Sequence, residues 1–529
     1  LAIQLCDEAI TAAAALSGGR LVKGADGFWE FDGQDVTIDM LIRVDDPNVR
    51  LPFGRYYADQ IEKTGIKVDR QERERSYCIN QAYNTDPANF DYHIYTEGWG
   101  AGGTTKWIDG NLTQMYAPWY GNEPGGMIEG FWQVENARID ELSQALWYGQ
   151  FASEAEYWAM ASEMQYLGLQ ESWRIWICYT ASYYVANKAA FESRFAYGLA
   201  DGINSFSMYT MVPTAADKVV RVSQFSARGT LFLNPWDPVG SNGFNDMYAA
   251  NIIQNCTEPT ANNSPSTADP FGVLITWDIA DLRTEIGPNG EGLIPAPATA
   301  LEYNSTTKTW AATGENTQST CKYSLVSDKM TWHDGTPLTV LDYIYYDGFT
   351  TDWATRDYDT DPYWANTLET KWAPGFEYAH GSIYDVANNQ ITTFSDYNFP
   401  PDANVVAATI LPGLYPRHQN HAQGVVWTVV EALAQMITTG SASGTVYSFE
   451  DRAGVTEVDI LVPSMVSDIR AELVSMRDAK WVPPYFNGWL DDAGLTADDI
   501  AGYYQNAIDF IDAHGHAYIG NGGYYVDNF

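Results

Sequence analysis

The run Cys321-Lys-Tyr-Ser-Leu-Val-Ser-Asp-Lys-Met-Thr-Trp-His-Asp-Gly-Thr-Pro-Leu-Thr-Val-Leu-Asp-Tyr343 decides how this chain is read. Tyr323, Leu325, Met330 and Trp332 recur as buried positions of a strand, with the period broken at Ser327-Asp328, where a turn is expected. Asp334-Gly335 supplies the positive φ of a tight turn, and Pro337 stops the strand. Thr339, followed by Asp342, is the pattern of a capping box that opens a helix through Tyr343, Ile344 and Phe349. The expectation is strand, turn and capped helix. Trp332 belongs in the core, and His333 and Asp334 in a surface turn that selects them for conformation alone.

Outward from that run, composition sets the class. With 529 residues the chain can form two or three domains, and 45% apolar against 18% charged residues describes ordered globular protein. There are 68 acidic and 29 basic residues, a net charge of −39, which repels phosphate backbones and anionic lipid. No nucleic-acid partner is expected. Cys6, Cys78, Cys178, Cys256 and Cys321 show no Cys-x-x-Cys spacing, so zinc and dithiol redox motifs are missing, while one or two disulfides would suit an exported chain. Asn-x-Ser/Thr sequons at Asn111, Asn255, Asn262 and Asn304 fit an extracellular glycoprotein.

No signal peptide opens the chain and no apolar run reaches bilayer length. Leu1 falls inside an expected helix, and Tyr524-Tyr-Val-Asp-Asn-Phe529 inside an expected strand. These abrupt ends suggest a processed or partial segment of a longer precursor, with anchor and signal elsewhere.

In chain order, a helix is expected to Ser17 with Ile3, Ile10 and Leu16 on its apolar side, then a hairpin over Gly24-Ala-Asp-Gly-Phe-Trp-Glu-Phe-Asp-Gly33. Val36, Ile38, Met40 and Ile42 alternate as a strand, a helix runs from Leu51 to a stop at Gly65, and 66–70 resumes as strand, a β-α-β unit. Val134, Ile139, Leu142 and Leu146 share a helix face, and Ser153 with Glu156 caps the next helix. Trp173-Arg-Ile-Trp-Ile-Cys178 reads as a buried strand, and a looser stretch leads to Gly229-Thr-Leu-Phe-Leu-Asn-Pro-Trp-Asp-Pro238. Further on, Asp459-Ile-Leu-Val-Pro reads as strand, and Thr496 with Asp499 caps a helix through Tyr503, Ile508 and Ile511.

The run Met330-Thr-Trp-His-Asp-Gly-Thr-Pro-Leu-Thr339, closed by Asp342, resembles the signature of the extracellular solute-binding proteins of ABC importers, peptide/nickel-binding type. The β-α-β unit and Phe90-Asp-Tyr-His-Ile-Tyr-Thr-Glu-Gly-Trp-Gly100 resemble that family's second lobe, whose strand ends in Gly-Trp at the inter-lobe cleft. His514-Gly-His-Ala-Tyr-Ile-Gly-Asn-Gly-Gly-Tyr-Tyr525 is similar to the family's Gly-x-Gly-Pro-Tyr strand, with Gly523 in place of proline. The resemblance implies an α/β, two-lobed periplasmic-binding-protein-like (type II) fold with mixed sheets flanked by helices. Residues 1–195 would form a second-lobe-like domain, 196–228 a linker or hinge, and 229–529 a first-lobe-like domain carrying the Trp-His-Asp-Gly-Thr-Pro run. Second-lobe elements come first here, against the family order, which again suggests a window from a longer chain. Family peptide binders place an acidic residue after that Trp for the ligand's amino terminus. Here Gly100-Ala-Gly-Gly-Thr-Thr-Lys-Trp107 intervenes, and the nearest carboxylates are Glu97 and Asp109.

Catalytic motifs are missing: no Gly-x-Ser-x-Gly, no phosphate-binding Gly-Lys loop and no His-Glu-x-x-His. His514-Gly-His516 beside Asp512 falls short of the three or four ligands a metal requires, so no metal and no cofactor are expected. Aromatics reach 14%, and Trp99, Trp107, Trp119, Trp236 and Tyr524 lie in Gly/Asn/Pro-rich loops where flat faces could stack on sugars or grip peptide side chains. The candidate ligand-binding set is therefore Glu97, Trp99, Trp107, Asp109, Trp119, Trp236 and Tyr524. The function expected is a non-enzymatic, extracellular or periplasmic, cell-surface-associated binding protein that captures a peptide or oligosaccharide between its lobes and delivers it to an ABC transporter permease. A surface-layer or filament glycoprotein on the same fold is the alternative, and a secreted glycosidase ranks third.

Overall fold

The computed structural model describes residues 1–99, 106–120, 122–126, 129–179, 183–192, 194–197, 202–222, 255–326, 330–376, 378–413, 424–450 and 454–527. The chain divides into two compact units, Leu1–Ala101 with Trp107–Ala181, and Gly102–Lys106 with Ser182–Phe529. The stretch 229–238, and with it Trp236, lies outside the described residues, as do Ser327-Asp328.

The first unit opens with α1 (Ala2–Leu16), none of whose residues is buried. The expected apolar side is solvent-facing, with Ile3 46% and Leu16 89% exposed. Its helicity rests on the alanine run 12–15, the best intrinsic helix formers, and not on a covered face. Strands β1 (Leu21–Lys23), β2 (Trp29–Phe31) and β3 (Gln34–Asp35) form an antiparallel sheet. Asp32 and Gly33 between the last two both take positive φ, as a type I′ hairpin turn requires.

The β-α-β unit follows as read. Strand β4 (Thr37–Arg43) leads into α2 (Arg50–Glu62) and then β5 (Lys67–Arg73), which pairs parallel to β4 over its whole length. The alternation read for β4 gives way to burial on both faces, since Met40, Leu41 and Ile42 are all fully covered. A sheet with parallel neighbours and helices packed against it buries both sides. Met40, Ile42 and Ala58 form a core with Leu51, Tyr57, Val68 and Ile94, each fully covered aliphatic contributing about 1.5–3 kcal/mol. Gly54 is what lets α2 settle, because a Cβ there would come 2.7 Å from Ile42 Cγ2 and 3.1 Å from Thr96 Cγ2. Helix α3 (Arg75–Tyr83) follows β5, and β6 (Ile94–Tyr95) then pairs parallel to the other side of β4, giving the order β5-β4-β6.

Helices α4 (Asp109–Tyr116), α5 (Ala137–Trp147) and α6 (Glu154–Glu171) pack together, with Ile139, Leu142 and Leu146 buried as expected. Ser153 Oγ accepts from Glu156 N–H, while the Glu156 carboxylate reaches back to Ala152 N–H at 2.8 Å. The segment 173–178 is not the buried strand expected. It is irregular, and Ile175, Trp176 and Ile177 are 63%, 51% and 47% exposed, since among the described residues no strand pairs with it.

The second unit is built on a seven-stranded antiparallel sheet: β7 (Ile275–Trp277), β8 (Arg283–Thr284), β9 (Leu301–Asn304), β10 (Thr309–Ala312), β11 (Ser319–Leu325), β12 (Ala379–Asp385) and β13 (Gln390–Ser395), in the order β8-β11-β13-β12-β9-β10 with β7 also on β11. The opening stretch is strand, turn and capped helix, as read. Trp332 N–H bonds Thr336 O, Gly335 takes φ +86°, and the Thr339/Asp342 capping box starts α7 (Val340–Ala354). Trp332 is 1% exposed and gives its indole N–H to Asp342 Oδ1 at 2.8 Å.

His333 departs from the surface turn expected: its backbone N–H bonds Gly520 O at 2.8 Å and its Nε2 bonds Gly522 O at 2.9 Å. Helix α7 is covered nearly all round, by α8 (Trp427–Thr439) among others, and α9 (Pro463–Ala479) packs on α10 (Ala497–His514), whose Thr496/Asp499 capping box is as read. Two expected strands are corrected. In Asp459-Ile-Leu-Val-Pro the first three residues are buried in a bend where Asp459 Oδ1 accepts from Leu461 N–H, Val462 is 40% exposed and Pro463 opens α9, while the strand nearby is Thr456–Glu457. The segment 514–525 is the end of α10 and an irregular run held by Gly522 N–H to Cys256 O and Tyr524 N–H to Asn255 O. All five cysteines are free thiols, so no disulfide joins them.

Candidate functional site

The topology of the parallel sheet picks out one place. From β4 the chain moves to β5 on one side and then to β6 on the other, so connections diverge from the carboxyl ends of β4 and β6. Crevices at such a switch point are where open α/β sheets bind ligands. The residues delivered there are Arg43 at the end of β4 and Asp45 just beyond it, and Thr96, Glu97, Gly98 and Trp99 after β6.

Each is fixed from beneath. Thr96 N–H bonds Leu41 O, and its hydroxyl accepts from Arg43 N–H at 3.2 Å, which ties the two strand ends. Arg43 Nε bonds Asp45 Oδ1 at 2.9 Å in a largely covered ion pair. Arg50, at the start of α2, gives Nη2–H to Gly98 O at 3.2 Å, and a Cβ on Gly98 would come 2.7 Å from that same nitrogen.

Glu97 is the centre. Its carboxylate accepts the Tyr83 hydroxyl and, at 3.1 Å, the Trp99 indole N–H, and Arg174 Nη1 stands 3.5 Å away. Burial first, and the neighbouring Glu97 charge next, push the Tyr83 phenol well above its usual range, so it remains a donor. Arg174 gives Nη2–H to Asn122 O at 2.7 Å, and its guanidinium lies 4.6 Å from the Trp173 ring, 5.2 Å from Trp99 and 6.0 Å from Trp176. Trp176 anchors its own N–H on Tyr116 OH at 2.9 Å while keeping half its surface in solvent. Close by is Glu123, only 1% exposed, whose carboxyl burial pushes up to about 8 against the pull of Arg174.

Together these make a carboxylate and a guanidinium embedded in indole and phenol faces. Such a set can stack on flat or apolar groups and present one acidic and one basic polar contact, which is recognition chemistry. Among the described residues no group of three or more His, Cys, Asp or Glu side chains is placed to hold a metal.

The other expected site residues fall elsewhere. Trp107 meets Tyr157 edge-on at 5.2 Å, and Asp109 accepts the Tyr157 hydroxyl at 2.9 Å, which in turn accepts from Ile108 and Asp109 N–H. Burial raises the Asp109 carboxyl above its ordinary range. Trp119 gives its N–H to Ser143 Oγ at 2.8 Å and packs edge-on against Trp147, so these three brace the α4–α6 bundle. Tyr524 belongs to the second unit, 41% exposed, with its hydroxyl on Met208 O. Tyr83, Asn122, Glu123 and Arg174 escaped the sequence reading. The one signal was an arginine inside Trp173-Arg-Ile-Trp, where a buried strand would have carried an unpaired charge.

No protein-family model matches this chain, and no curated protein matches it either. Two solved structures show partial likeness. NikZ from Campylobacter jejuni in complex with Ni(L-His) is 15% identical over 32% of this chain and 30% of that one, with a TM-score of 0.24. NikA from Brucella suis in complex with Fe(III)-EDTA is 19% identical over 30% of each chain, with a TM-score of 0.22. The matched region spans about 30% of the length of each.

Proposed function

We propose that this chain is an extracellular solute-binding protein that captures a peptide or an oligosaccharide and delivers it to an ABC importer. The observation that carries the reading is the Glu97–Trp99–Arg174 cluster at the carboxyl end of β6, where a charged pair is set among exposed and half-buried indoles. The Trp-His-Asp-Gly-Thr-Pro run and the Gly98-Trp99 strand end support the same reading through the family they resemble. Trp99 and Trp176 would stack on the ligand, while Glu97 and Arg174 would take its polar groups. Nothing in this assignment calls for bond breaking.

The test is titration of purified protein with peptide and oligosaccharide pools, read by tryptophan fluorescence, native mass spectrometry and solution scattering. A bound small molecule and ligand-dependent compaction are expected. Trp99→Ala should weaken binding about tenfold, the value of one aromatic contact of about 1–1.5 kcal/mol. Finding neither a bound small molecule nor compaction with any pool would sink the reading.

A further inference from the structure

The four sequons are alike in sequence and unlike in the fold. Asn255 is 8% exposed and its acceptor-side Thr257 2%, beneath Gly522 and Tyr524, whose N–H groups bond Cys256 O and Asn255 O. A sugar there would displace the segment that closes over it. Asn111 is in the first turn of α4, with Thr113 fully buried. Asn262 is the middle residue of the strand Ala261–Asn263, half-buried and paired with Phe271.

Asn304 is exposed, as Asn111 is, but the hydroxyl residue of its sequon is exposed too, where Thr113 is buried. Asn304 is the last residue of β9, at the edge of the loop 305–308 that returns into β10. Its backbone O accepts from Lys308 N–H at 2.8 Å, with Lys308 at φ +54° completing the turn. Its side-chain Oδ1 accepts Thr307 N–H at 2.8 Å and the Thr307 hydroxyl at 3.0 Å. That fixes the carbonyl side of the amide toward the loop and leaves Nδ2 directed away from it. Thr306, the hydroxyl residue of the sequon, is exposed and rests on Asp357 at 2.7 Å beside Ser305 at 2.9 Å. The hairpin beneath is anchored by Tyr303 against Trp310, rings 5.3 Å apart, and by the Trp310 indole N–H on Tyr485 O. A glycan would therefore leave the β9–β10 turn without disturbing a packed atom.

We infer that Asn304 is the N-glycan acceptor of this chain, and that the Asn111 and Asn255 sequons are not used. The inference rests on the extracellular reading above. The co-reactant is a polyprenyl-phosphate- or pyrophosphate-linked oligosaccharide. Asn304 Nδ2 bonds to the sugar's anomeric carbon as the bond from that carbon to the phosphate oxygen breaks. The lipid phosphate leaves with the electron pair, and the amide nitrogen gives up one proton to the medium. No oxidation or reduction is involved.

The experiment is peptide mass spectrometry on the chain recovered from the cells that make it, with the cell-surface and cytosolic fractions analysed separately. Trypsin frees residues 284–308 as one peptide with no other sequon. A hexose-containing increment on that peptide is expected from the surface fraction, with Asn111 and Asn255 bare, the latter read from fragment ions because the tryptic peptide 229–283 carries Asn255 and Asn262 together. Asn304→Gln and Thr306→Ala should each abolish the increment and Thr306→Ser should retain it, which separates sequon-dependent transfer from other modification. A surface-located chain with unmodified Asn304, or a glycan found on Asn255, overturns this inference and leaves the binding reading standing. A chain confined to the cytosol with Asn304 bare overturns both.

Discussion

Glu123 is a carboxyl group that this fold holds against its own ionisation. Covered to 1% exposure, it is pushed up to about 8, with burial the leading cause and Arg174 opposing it. The folded state thus prefers the protonated acid, while the unfolded chain releases the proton in the ordinary carboxylate range. The stability this group contributes is complete below that range and is lost as pH rises through about 8, at about 1.4 kcal/mol per pH unit in between. Glu123→Gln removes the titration and keeps the shape. Urea midpoints followed from mildly acidic to mildly basic pH should therefore fall less steeply for the variant than for the parent. An unchanged slope would mean that the carboxyl is already ionised in the folded protein. The same residue marks a limit of sequence reading, since one acid among 68 has no feature that sets it apart before the chain is folded around it.

At the scale of elements, the strand-turn-helix from β11 into α7 was legible because every signal in it is local. A glycine at positive φ, a Thr with an Asp three places on, and an alternating strand need no distant partner. Asp342 accepts Thr339 N–H at 2.7 Å and the Trp332 indole at 2.8 Å while only 1% exposed. Thr339→Ala removes one cap and should cost about 1 kcal/mol. Asp342→Ala strands two donors, at about 1–3 kcal/mol each, so it should destabilise at least twice as much in chemical denaturation. Equal losses would show that the indole bond contributes nothing.

What was not legible depended on partners far along the chain. His333 was read as a solvent turn because the segment it holds, around Gly522, is 189 residues away. The 173–178 run was read as a buried strand because an apolar period does not reveal whether a neighbouring strand exists. In the candidate site the strand end with Glu97 and Trp99 was readable. Arg174, 77 residues on, was not.

Across the whole molecule, two kinds of buried titration oppose each other. Burial pushes Asp334 to about 6, Asp342 to about 7 and Asp352 to about 6, so, with Glu123, they add stability at low pH that is lost as pH climbs through 6–8. Burial lowers His333 and His516, which bond backbone carbonyls through Nε2; His516 Nδ1 also accepts Tyr518 N–H. Protonating Nδ1 would turn that acceptor into a second donor. The histidines therefore add stability that is present above about 6.5 and lost as pH falls below it. The carboxyl trend begins in the ordinary carboxylate range and the histidine trend is complete by about 6.5, so above that pH only the carboxyl loss remains.

The net charge of −39 adds surface self-repulsion, which is nearly constant between pH 6 and 8 because exposed carboxylates are already ionised there. Salt should screen that repulsion without relieving the desolvation of buried acids. Urea midpoints measured at about 0.1 M and about 1 M NaCl should thus rise with salt at every pH while the downward slope from pH 6 to 8 persists. If high salt flattened the slope, surface charge and not the buried carboxyls would be its origin.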